Sequence, residues 1–329
     1  QPLRGARPEG VAVTEDDLIN ALALNPDSAL VKLVQRTPGL VTLLLPGVTG
    51  AAVINAALDF GQTYGCWVLF DLPQSITDEL AAVAQRRAAY ALNPFGQWFW
   101  PSWGRTSRSP RLASGREVVP LSGVLAGAAA RWANDRTEGQ GWHKAFAGMK
   151  AGIAPYIGKT VRDPSTSPTP QQLLAAPRVR DEVLNPGGIC AIVENGPAVF
   201  PFGGEILDAA GKGTLWAHKQ KSTLHIAALL RANGDQLVYR LNNPELQAET
   251  IALVTDLLEP LFRAGWFQPL EGGSAATFTN CVGIQCDDTN NPPEIADAGT
   301  FVCAVRFQIV NTTKVVEFQI GTKGIAVAA

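Results

Sequence analysis

The stretch "LVTLLLPGVTGAAVINAALDFGQTYGCWVLFDLP", residues 40–73, places a short apolar run on either side of an amphipathic segment. The first run, 40–47, closes with Pro-Gly, and both it and the second run, 66–73, have the length and composition of buried strands. The segment between them, 51–65, has the apolar spacing that predicts a helix. A strand, a helix and a second strand in this order favour parallel neighbours in an α/β layer.

The segments around this unit continue the alternation. Thr14 precedes a helical pattern with acidic residues in its first turn, which is a typical helix start. The stretch 75–90 predicts another helix, with a capping box between Ser75 and Asp78. The stretch 122–136 predicts a third helix, whereas the Pro- and Ser-rich residues after it should form an exposed loop. We therefore expect residues 1–187 to form an α/β layer domain.

The pattern changes near residue 188, and residues 188–329 predict an α+β domain. A strand ends at the Asn-Gly turn of "GICAIVENG", and a helix follows in "STLHIAALLRANG". A longer helix begins at Pro244 after the N-cap Asn243. It should bend or stop near Glu259, because Pro260 cannot donate a backbone hydrogen bond. The runs "FTNCVGIQC", "TFVCAVRFQIV" and "VVEFQI" predict a final antiparallel meander.

Composition limits the partners that this chain can have. Its 329 residues are 46% hydrophobic and carry a formal net charge of −2 at pH 7. This charge provides no general attraction to nucleic acid or to anionic membranes. No run reaches the roughly 18 apolar residues of a membrane helix. We therefore expect no nucleic-acid partner and no direct membrane insertion, and the apolar balance favours a large core or a surface covered by protein partners.

The five cysteines and the first residues bear on the cellular setting. An odd, sparse cysteine count is typical of a protein that folds in a reducing cytoplasm, so we expect reduced and mostly buried thiols. An intersubunit disulfide is the alternative.

The opening "QPLRGARPEG" lacks both an initiator Met and the apolar run of a secretory signal, and we interpret the chain as a fragment.

The candidate metal-binding, phosphate-binding and catalytic motifs in this sequence each depart from the pattern that their chemistry requires. Asp287, Thr289 and Asn291 occupy the first three ligand positions of a calcium loop, but Pro292 stands where that loop needs Gly. The Gly-rich stretch 203–214 has the wrong spacing for a phosphate loop, and we interpret it as a hairpin turn. The chain contains no G-x-S-x-G, H-E-x-x-H or C-x-x-C. We therefore predict no catalytic residue, no metal and no cofactor, and a protein that is not an enzyme.

The stretch "LSGVLAGAAARWANDRTEGQGWHKAFAGMKAGI", residues 121–153, resembles a motif of contractile tail sheath proteins of bacteriophages and related injection machines. The residues that fit the motif are Ser122, Gly123, Ala126, Gly127, Arg131, Asp135, Gly141, Trp142 and Ala145. Phe146 and Gly148 depart from its Pro and Asn. "TLWAHK" is similar to the family's W-G-x-R-T segment, with Lys219 in place of Arg. Residues 282–320 resemble the C-terminal signature, so the acidic run at 287–297 is interpreted as a strand-to-strand connection with turn-forming Asn and Pro residues.

The resemblance, which extends from about residue 30 to 325, implies a structural role. Residues 1–187 would be the outer, middle domain of a sheath subunit without the family's extended N-terminal arm, and 188–329 the inner, C-terminal domain. Such subunits assemble as a helical sleeve around an inner tail tube and contract to drive it through the host envelope. The implied partners are other copies of the chain, the tube protein, and baseplate and tail terminator proteins. The implied location is the virion tail, after assembly in the host cytoplasm.

Two other classes of function stay open at this stage. One is an α/β enzyme with a site dispersed along the sequence, and the other is a small-molecule binding module. Tubular polymers would argue against the enzyme, and a monomer with one deep pocket would favour the binding module.

The long helix after Asn243 supplies a candidate surface. At about 100° per residue, its apolar residues fall on one half of the helical wheel. The opposite side collects four acids and one base, here named the acidic stripe: Glu245, Glu249, Asp256, Glu259 and Arg263. An ordinary solvated face would have this composition. The family resemblance implies instead that the stripe contacts the tail tube.

A second candidate lies near the C-terminus. The segment "KVVEFQI" alternates apolar and polar residues, which predicts a strand with an edge free to pair. The resemblance implies that this strand joins a sheet of a neighbouring subunit. Its residues are Lys314, Val315, Val316, Glu317, Phe318, Gln319 and Ile320.

Overall fold

The structure is a computed structural model of the 329-residue chain. It describes residues 13–37, 39–76, 78–91, 93–106, 118–135, 141–148, 151, 157–160, 180–195, 198–207, 214–271 and 276–311. The predicted terminal strand 314–320 and the predicted Pro- and Ser-rich loop at 161–177 lie outside these residues.

A five-stranded sheet forms the centre of the molecule. Its strands are β1 (Thr42–Leu44), β2 (Trp67–Phe70), β3 (Gly96–Trp100), β7 (Ile189–Asn195) and β8 (Ala198–Phe202). They lie in the order β1-β2-β3-β7-β8; the first four are parallel, and β8 is an antiparallel edge strand. The predicted strand–helix–strand unit at 40–73 is therefore confirmed.

Helices cover both faces of this sheet. They are α1 (Glu15–Ala21), α2 (Ala29–Arg36), α3 (Ala51–Tyr64), α4 (Glu79–Ala89) and α5 (Ser122–Ala133). In β2, Val68 and Phe70 pack into the core that includes α3, whereas Trp67 and Leu69 pack into the core that includes α5. Alternate residues of a strand point to opposite faces, so a strand buried on both sides must be apolar throughout. This explains the continuous apolar run that begins at Cys66.

The helix starts are partly as predicted. The Thr14 hydroxyl accepts a hydrogen bond from the Asp17 backbone N–H, and the Asp17 side chain accepts one from the Thr14 N–H, which completes a capping box for α1. The capping box predicted at Ser75 is wrong. Ile76 is still in a turn, with its N–H donated to the Pro73 carbonyl at 3.1 Å. Asp78 is the N-cap of α4 instead.

Residues 103–160 add a small antiparallel sheet that the sequence did not predict. Its strands are β4 (Trp103–Thr106), β5 (Val118–Pro120) and β6 (Ile157–Thr160), in the order β5-β4-β6. A π-helical turn, Arg180–Leu184, then leads into β7.

The central sheet continues past residue 187, because β7 pairs with β3 in parallel. Strands from both sides of the expected domain boundary thus share one sheet. The division into two domains at residues 187 and 188 stays a prediction.

The remaining elements form a smaller α+β part. They are β9 (Glu205–Leu207), β10 (Thr214–Trp216), α6 (Ala217–Gly234), α7 (Pro244–Arg263), α8 (Phe278–Cys281), β11 (Val282–Gln285), α9 (Pro293–Asp297) and β12 (Ala304–Phe307). The β9–β10 and β11–β12 pairs are antiparallel. The pair β11–β12 is the described part of the predicted meander, and the α/β and α+β character of the fold is confirmed.

Of the two outcomes expected near Glu259, a bend or a stop, the stop does not occur, because α7 continues through Pro260 to Arg263. Pro260 and Asp256 both lie on the exposed side of α7. Water is available there to the Asp256 carbonyl, which has lost its helical donor.

Asp71 joins three elements at the carboxyl end of β2. Its carboxylate accepts the Gly47 N–H at 3.0 Å, the Ser122 N–H at 3.0 Å and the Ser122 hydroxyl at 2.6 Å. Both Asp71 and Ser122 are buried. The carboxylate therefore ties the turn after β1 to the first residue of α5, where the helix dipole favours negative charge.

Replacing Asp71 by Ala should lower the free energy of unfolding by at least about 3 kcal/mol, because three buried donors lose their acceptor. Urea denaturation measures this change. Asp27→Ala is the matched control, since Asp27 is exposed and its 3.3 Å ion pair with Lys32 lies at the surface; it should cost less than about 1 kcal/mol. Equal losses in the two variants would contradict the role of Asp71.

Candidate functional site

The long helix α7 has one buried and one exposed side. Leu246, Val254 and Leu258 are buried, as the apolar half of the predicted wheel requires. Of the acidic stripe, Glu245, Glu249, Asp256 and Arg263 are exposed, and Glu259 is half-buried. The stripe is therefore a continuous surface of the folded chain, and its role as a tube contact stays a prediction.

Two ion pairs lie within or beside the acidic stripe. Glu259 and Arg263, one helical turn apart, are joined at 2.7 Å. Glu249 is joined at 2.5 Å to Arg240, which belongs to the turn before the helix. Exposed pairs of this kind contribute about 0–1 kcal/mol each. These carboxylates can therefore exchange partners at little cost.

Packing of the buried side determines where the stripe faces. Val254 and Leu258 pack into a core with Ile226 of α6 and with Trp266 and Val282. The Asn243 side chain caps the helix by accepting the Leu246 N–H at 2.9 Å, and Pro244 occupies the first turn. The direction of the stripe therefore follows from local capping and from this core together.

The turn between α6 and α7 exposes apolar side chains that the sequence analysis missed. Val238, Tyr239 and Leu241 are all exposed, and Tyr239 is completely so. Tyr239 also has a φ of 64°, a left-handed conformation that is uncommon for a bulky residue. We name residues 238–241 the apolar tip. The sequence does contain a signal for this tip. Three large apolar residues lie between two predicted helices, and they do not belong to the apolar pattern of either helix.

The motif residues Gly141 and Trp142 contact residues of the smaller α+β part, namely Trp266 and Lys221. A Cβ on Gly141 would lie 2.1 Å from the Trp266 ring, and the φ of Gly141 is 122°, so only glycine fits there. Trp142 packs beside the buried ammonium of Lys221, which donates to the Gln97 Oε1 at 3.2 Å. These motif residues thus serve packing between the central sheet and the helices.

The residues that precede the predicted terminal strand are firmly held. The Val310 N–H donates to the Trp266 carbonyl at 3.0 Å, and the Val310 carbonyl lies 3.3 Å from the His218 Nε2. The Lys219 Nζ donates to the Asn311 Oδ1 at 2.6 Å. His218 and Lys219 belong to the "TLWAHK" segment, so this segment anchors the root of the C-terminal segment.

The strand-to-strand interpretation of the acidic run 287–297 is confirmed, because β11 and β12 flank it as an antiparallel pair. Asp287 and Asn290 bond within the turn: the Asp287 N–H donates to the Asn290 Oδ1 at 2.9 Å. The short helix α9, which was not predicted, begins at Pro293. In the described part of the chain, no three His, Cys, Asp or Glu side chains form a group that could hold a metal.

A cavity of about 490 Å³ lies near the root of the C-terminal segment. Its lining includes the aromatic rings of Trp132, Phe202 and Trp216, together with His143 and Asn185. Burial is the main cause that lowers the pKa of His143 to about 4, with nearby Lys144 acting in the same direction. The imidazole is therefore neutral at pH 7, and the cavity offers aromatic walls and hydrogen-bonding groups.

The histidines and thiols are mostly packed residues, and the burial of the thiols agrees with the prediction. Burial lowers the pKa of His218 to about 4, and His225 accepts the Leu40 N–H at 3.2 Å. Cys66, Cys190, Cys281 and Cys286 are buried and Cys303 is half-buried, and all five cysteines are free thiols. Burial raises the pKa of Cys66 to about 11, which suppresses the reactive thiolate.

None of the helices that the structure describes combines the length and the apolar character needed to cross a bilayer.

We expect the free energy of unfolding to fall as the pH decreases from about 6.5 to about 4. His143 and His218 stay neutral in the native state over this window, whereas the unfolded imidazoles bind protons. The loss should be on the order of 3 kcal/mol per histidine. Urea denaturation at several pH values measures it, and His143→Gln with His218→Gln should flatten the slope. An unchanged slope in that double variant would show that other groups cause the dependence.

Three solved structures share this fold over nearly the whole chain. One is the anti-feeding prophage (AFP) helical sheath in its contracted state. The alignment covers 95% of this chain and 76% of the AFP sheath chain, with a TM-score of 0.66 and 16% sequence identity. Another is the PVC sheath complex of an extracellular contractile injection system, also in the contracted state. The alignment covers 94% of this chain and 81% of the PVC sheath chain, with a TM-score of 0.65 and 16% sequence identity.

The AFP baseplate structure matches 96% of this chain and 83% of its own, with a TM-score of 0.64 and 13% identity. No protein-family model matches the sequence, and neither does any curated protein. The structural likeness covers both the central sheet and the α6–α7 part. The chain has the fold of the sheath proteins of contractile injection systems.

Proposed function

We propose that this chain is a structural subunit of a contractile sheath, which assembles with other copies of itself as a helical sleeve around an inner tube. The observation that carries this proposal is the fold shared with two contracted sheath structures over 94–95% of the chain. The sheath-like motif residues support it, because Ser122, Gly141 and His218 each make a contact that holds separate parts of the fold together.

Contraction of such a sleeve would drive the tube through a bacterial envelope without a nucleotide. The extended lattice would be a metastable arrangement of subunit contacts. If each of roughly a hundred subunits gained about 1–3 kcal/mol on contraction, the total would exceed about 100 kcal/mol. The protein would therefore need no catalytic group, and we propose that it is not an enzyme.

The acidic stripe is the proposed contact with the tube. Its surface ion pairs are weak, so basic residues on a tube could replace Arg240 and Arg263 at little cost. Weak contacts suit a sleeve that must hold the tube while extended and release it on contraction. The apolar tip borders the stripe through the Arg240–Glu249 pair and would extend the same contact surface.

The C-terminal segment is the proposed link between subunits. Its root at Val310 and Asn311 is bonded to Trp266, His218 and Lys219, so a strand beginning a few residues later would leave the body at a defined position. A free strand edge can then pair with the sheet of a neighbour.

The proposed location is the tail of a phage or of a related injection particle, after assembly in the host cytoplasm. The proposed further partners are baseplate and tail terminator proteins at the two ends of the sleeve. The cavity beside His143 is the one observation that favours the alternative of a small-molecule binding module. Negative-stain imaging of the purified protein separates the two: tubes support a sheath subunit, whereas a stable monomer at all concentrations contradicts it.

Deleting residues 314–329 should leave a folded protein that does not form tubes. The deletion removes the proposed linking strand but leaves its root at residues 310–311 in place. Unchanged unfolding together with the loss of tubes is the expected result. Tubes of normal length from the deleted protein would show that the strand does not link subunits.

Replacing Glu249, Asp256 and Glu259 together by Lys should give sheaths that assemble but do not retain a tube. Lysines would repel the basic residues expected on the tube, while the buried side of α7 stays intact. Imaging of particles from cells that produce all tail components measures the fraction with a tube.

The matched control makes the same charge change outside α7 and outside the β11–β12 connection that touches it. Asp16, Asp27 and Asp59 are exposed acids on or beside α1, α2 and α3, and their replacement by Lys should leave tube retention unchanged. Tube-filled extended particles from the stripe variant at wild-type yield would exclude the stripe as the tube contact.

A further inference from the structure

Cys286 and Cys303 face each other at the end of the β11–β12 pair. The antiparallel register pairs Val282 with Phe307 and Gln285 with Ala304. One step further along both chains places Cys286 opposite Cys303. Opposed residues of antiparallel strands have Cα atoms about 4.5–5.5 Å apart, which falls within the range of about 4.4–6.8 Å found across disulfides.

The chains are held together on the other side of these cysteines as well. The side-chain amide of Asn291 donates to the Val302 carbonyl at 2.8 Å and accepts the Val302 N–H at 2.7 Å. Asn291 is itself buried, and it takes the place that a partner strand would have beside Val302. The two cysteines therefore lie between the last ladder pair and this side-chain clasp, and their separation is restrained from both directions.

The two thiols differ in exposure and in hydrogen bonding. Cys286 is buried, whereas Cys303 is partly accessible. Burial, and then the neighbouring Cys303, raise the pKa of Cys286 to about 12. Burial raises the pKa of Cys303 above its ordinary value, and the hydrogen bond with Cys286 acts in the opposite direction. Cys303 is thus the better placed of the two to react first with an oxidant from solvent.

We propose that Cys286 and Cys303 form an oxidation site, in which a low-molecular-weight disulfide converts the two thiols into an intramolecular disulfide. The Cys303 thiolate attacks one sulfur of the oxidant, the oxidant S–S bond breaks, and the released thiolate takes up the Cys303 proton. Cys286 then loses its proton and attacks the Cys303 Sγ, which expels the second oxidant thiolate. The two protein thiols lose two electrons, and one oxidant disulfide becomes two thiols.

The disulfide would close the connection between β11 and β12 covalently. Within this connection, Asp288 accepts a hydrogen bond from Gln247 of α7 at 3.1 Å. Oxidation would therefore fix a loop that touches the helix carrying the acidic stripe. It would also restrict the unfolded chain, which raises thermal stability. The inference depends on the strand register, the Asn291 hydrogen bonds and the exposure of Cys303, and it is independent of the proposed function.

The experiment incubates the full-length folded protein with glutathione disulfide and then alkylates the remaining thiols after unfolding. The expected product is a monomer that is two hydrogens lighter, with two of its five cysteines protected and a higher unfolding temperature. Peptide mapping should identify a Cys286–Cys303 crosslink, and dithiothreitol should reverse every change.

Two variants test the order of the steps. Cys286→Ala should accumulate a glutathione adduct on Cys303, whereas Cys303→Ala should remain unmodified, and Cys281→Ala should form the disulfide as the wild type does. A crosslink between any other pair, disulfide-linked dimers as the main product, or five alkylated cysteines in the treated wild type would each overturn the proposal. Mapping of the wild-type product decides the pairing even where a variant folds poorly.

Discussion

The side chain and backbone of Trp266 form the contacts on which the arrangement of the two candidate surfaces, the acidic stripe and the C-terminal segment, depends. Its indole lies against Gly141, 5.1 Å from the His143 ring and 5.3 Å from the His225 ring. Its backbone carbonyl accepts the Val310 N–H. One residue thus joins the motif segment after α5, the helix α6 and the root of the C-terminal segment. The large apolar area of a buried tryptophan makes such a junction stable, and its fixed ring plane makes it specific.

The interactions in this molecule separate into strong internal ones and weak external ones. Inside, the Asp71 carboxylate and the Asn291 amide accept hydrogen bonds from backbone groups that are buried or half-buried. At the surface, the Arg240–Glu249 and Glu259–Arg263 pairs cost little to break. In the proposed sheath, a subunit with this distribution would move as a rigid body and change its neighbours.

Much of the fold follows from local patterns. The apolar runs at 40–47 and 66–73 became parallel strands, and the wheel of residues 244–263 divided as expected into a buried and an exposed side. Other expectations failed for reasons that are also physical. The helix α4 is capped by Asp78 rather than starting near Ser75, because a turn after Pro73 delays it, and α7 continues through Pro260 on its solvent side.

The sequence by itself determined the strand–helix–strand unit at 40–73, the long helix after Asn243 with its apolar side, and the resemblance of residues 121–153 to a sheath motif. Only the tertiary structure decided that β7 lies beside β3, that Arg240 reaches Glu249, and that Cys286 stands opposite Cys303. The physical reason is the distance along the chain over which each kind of interaction acts. Periodicity and capping act over a few neighbouring residues, and so can be derived from the order of the chain. Strand order and side-chain pairing join residues that are distant in sequence, and they are settled by the packing of the whole core.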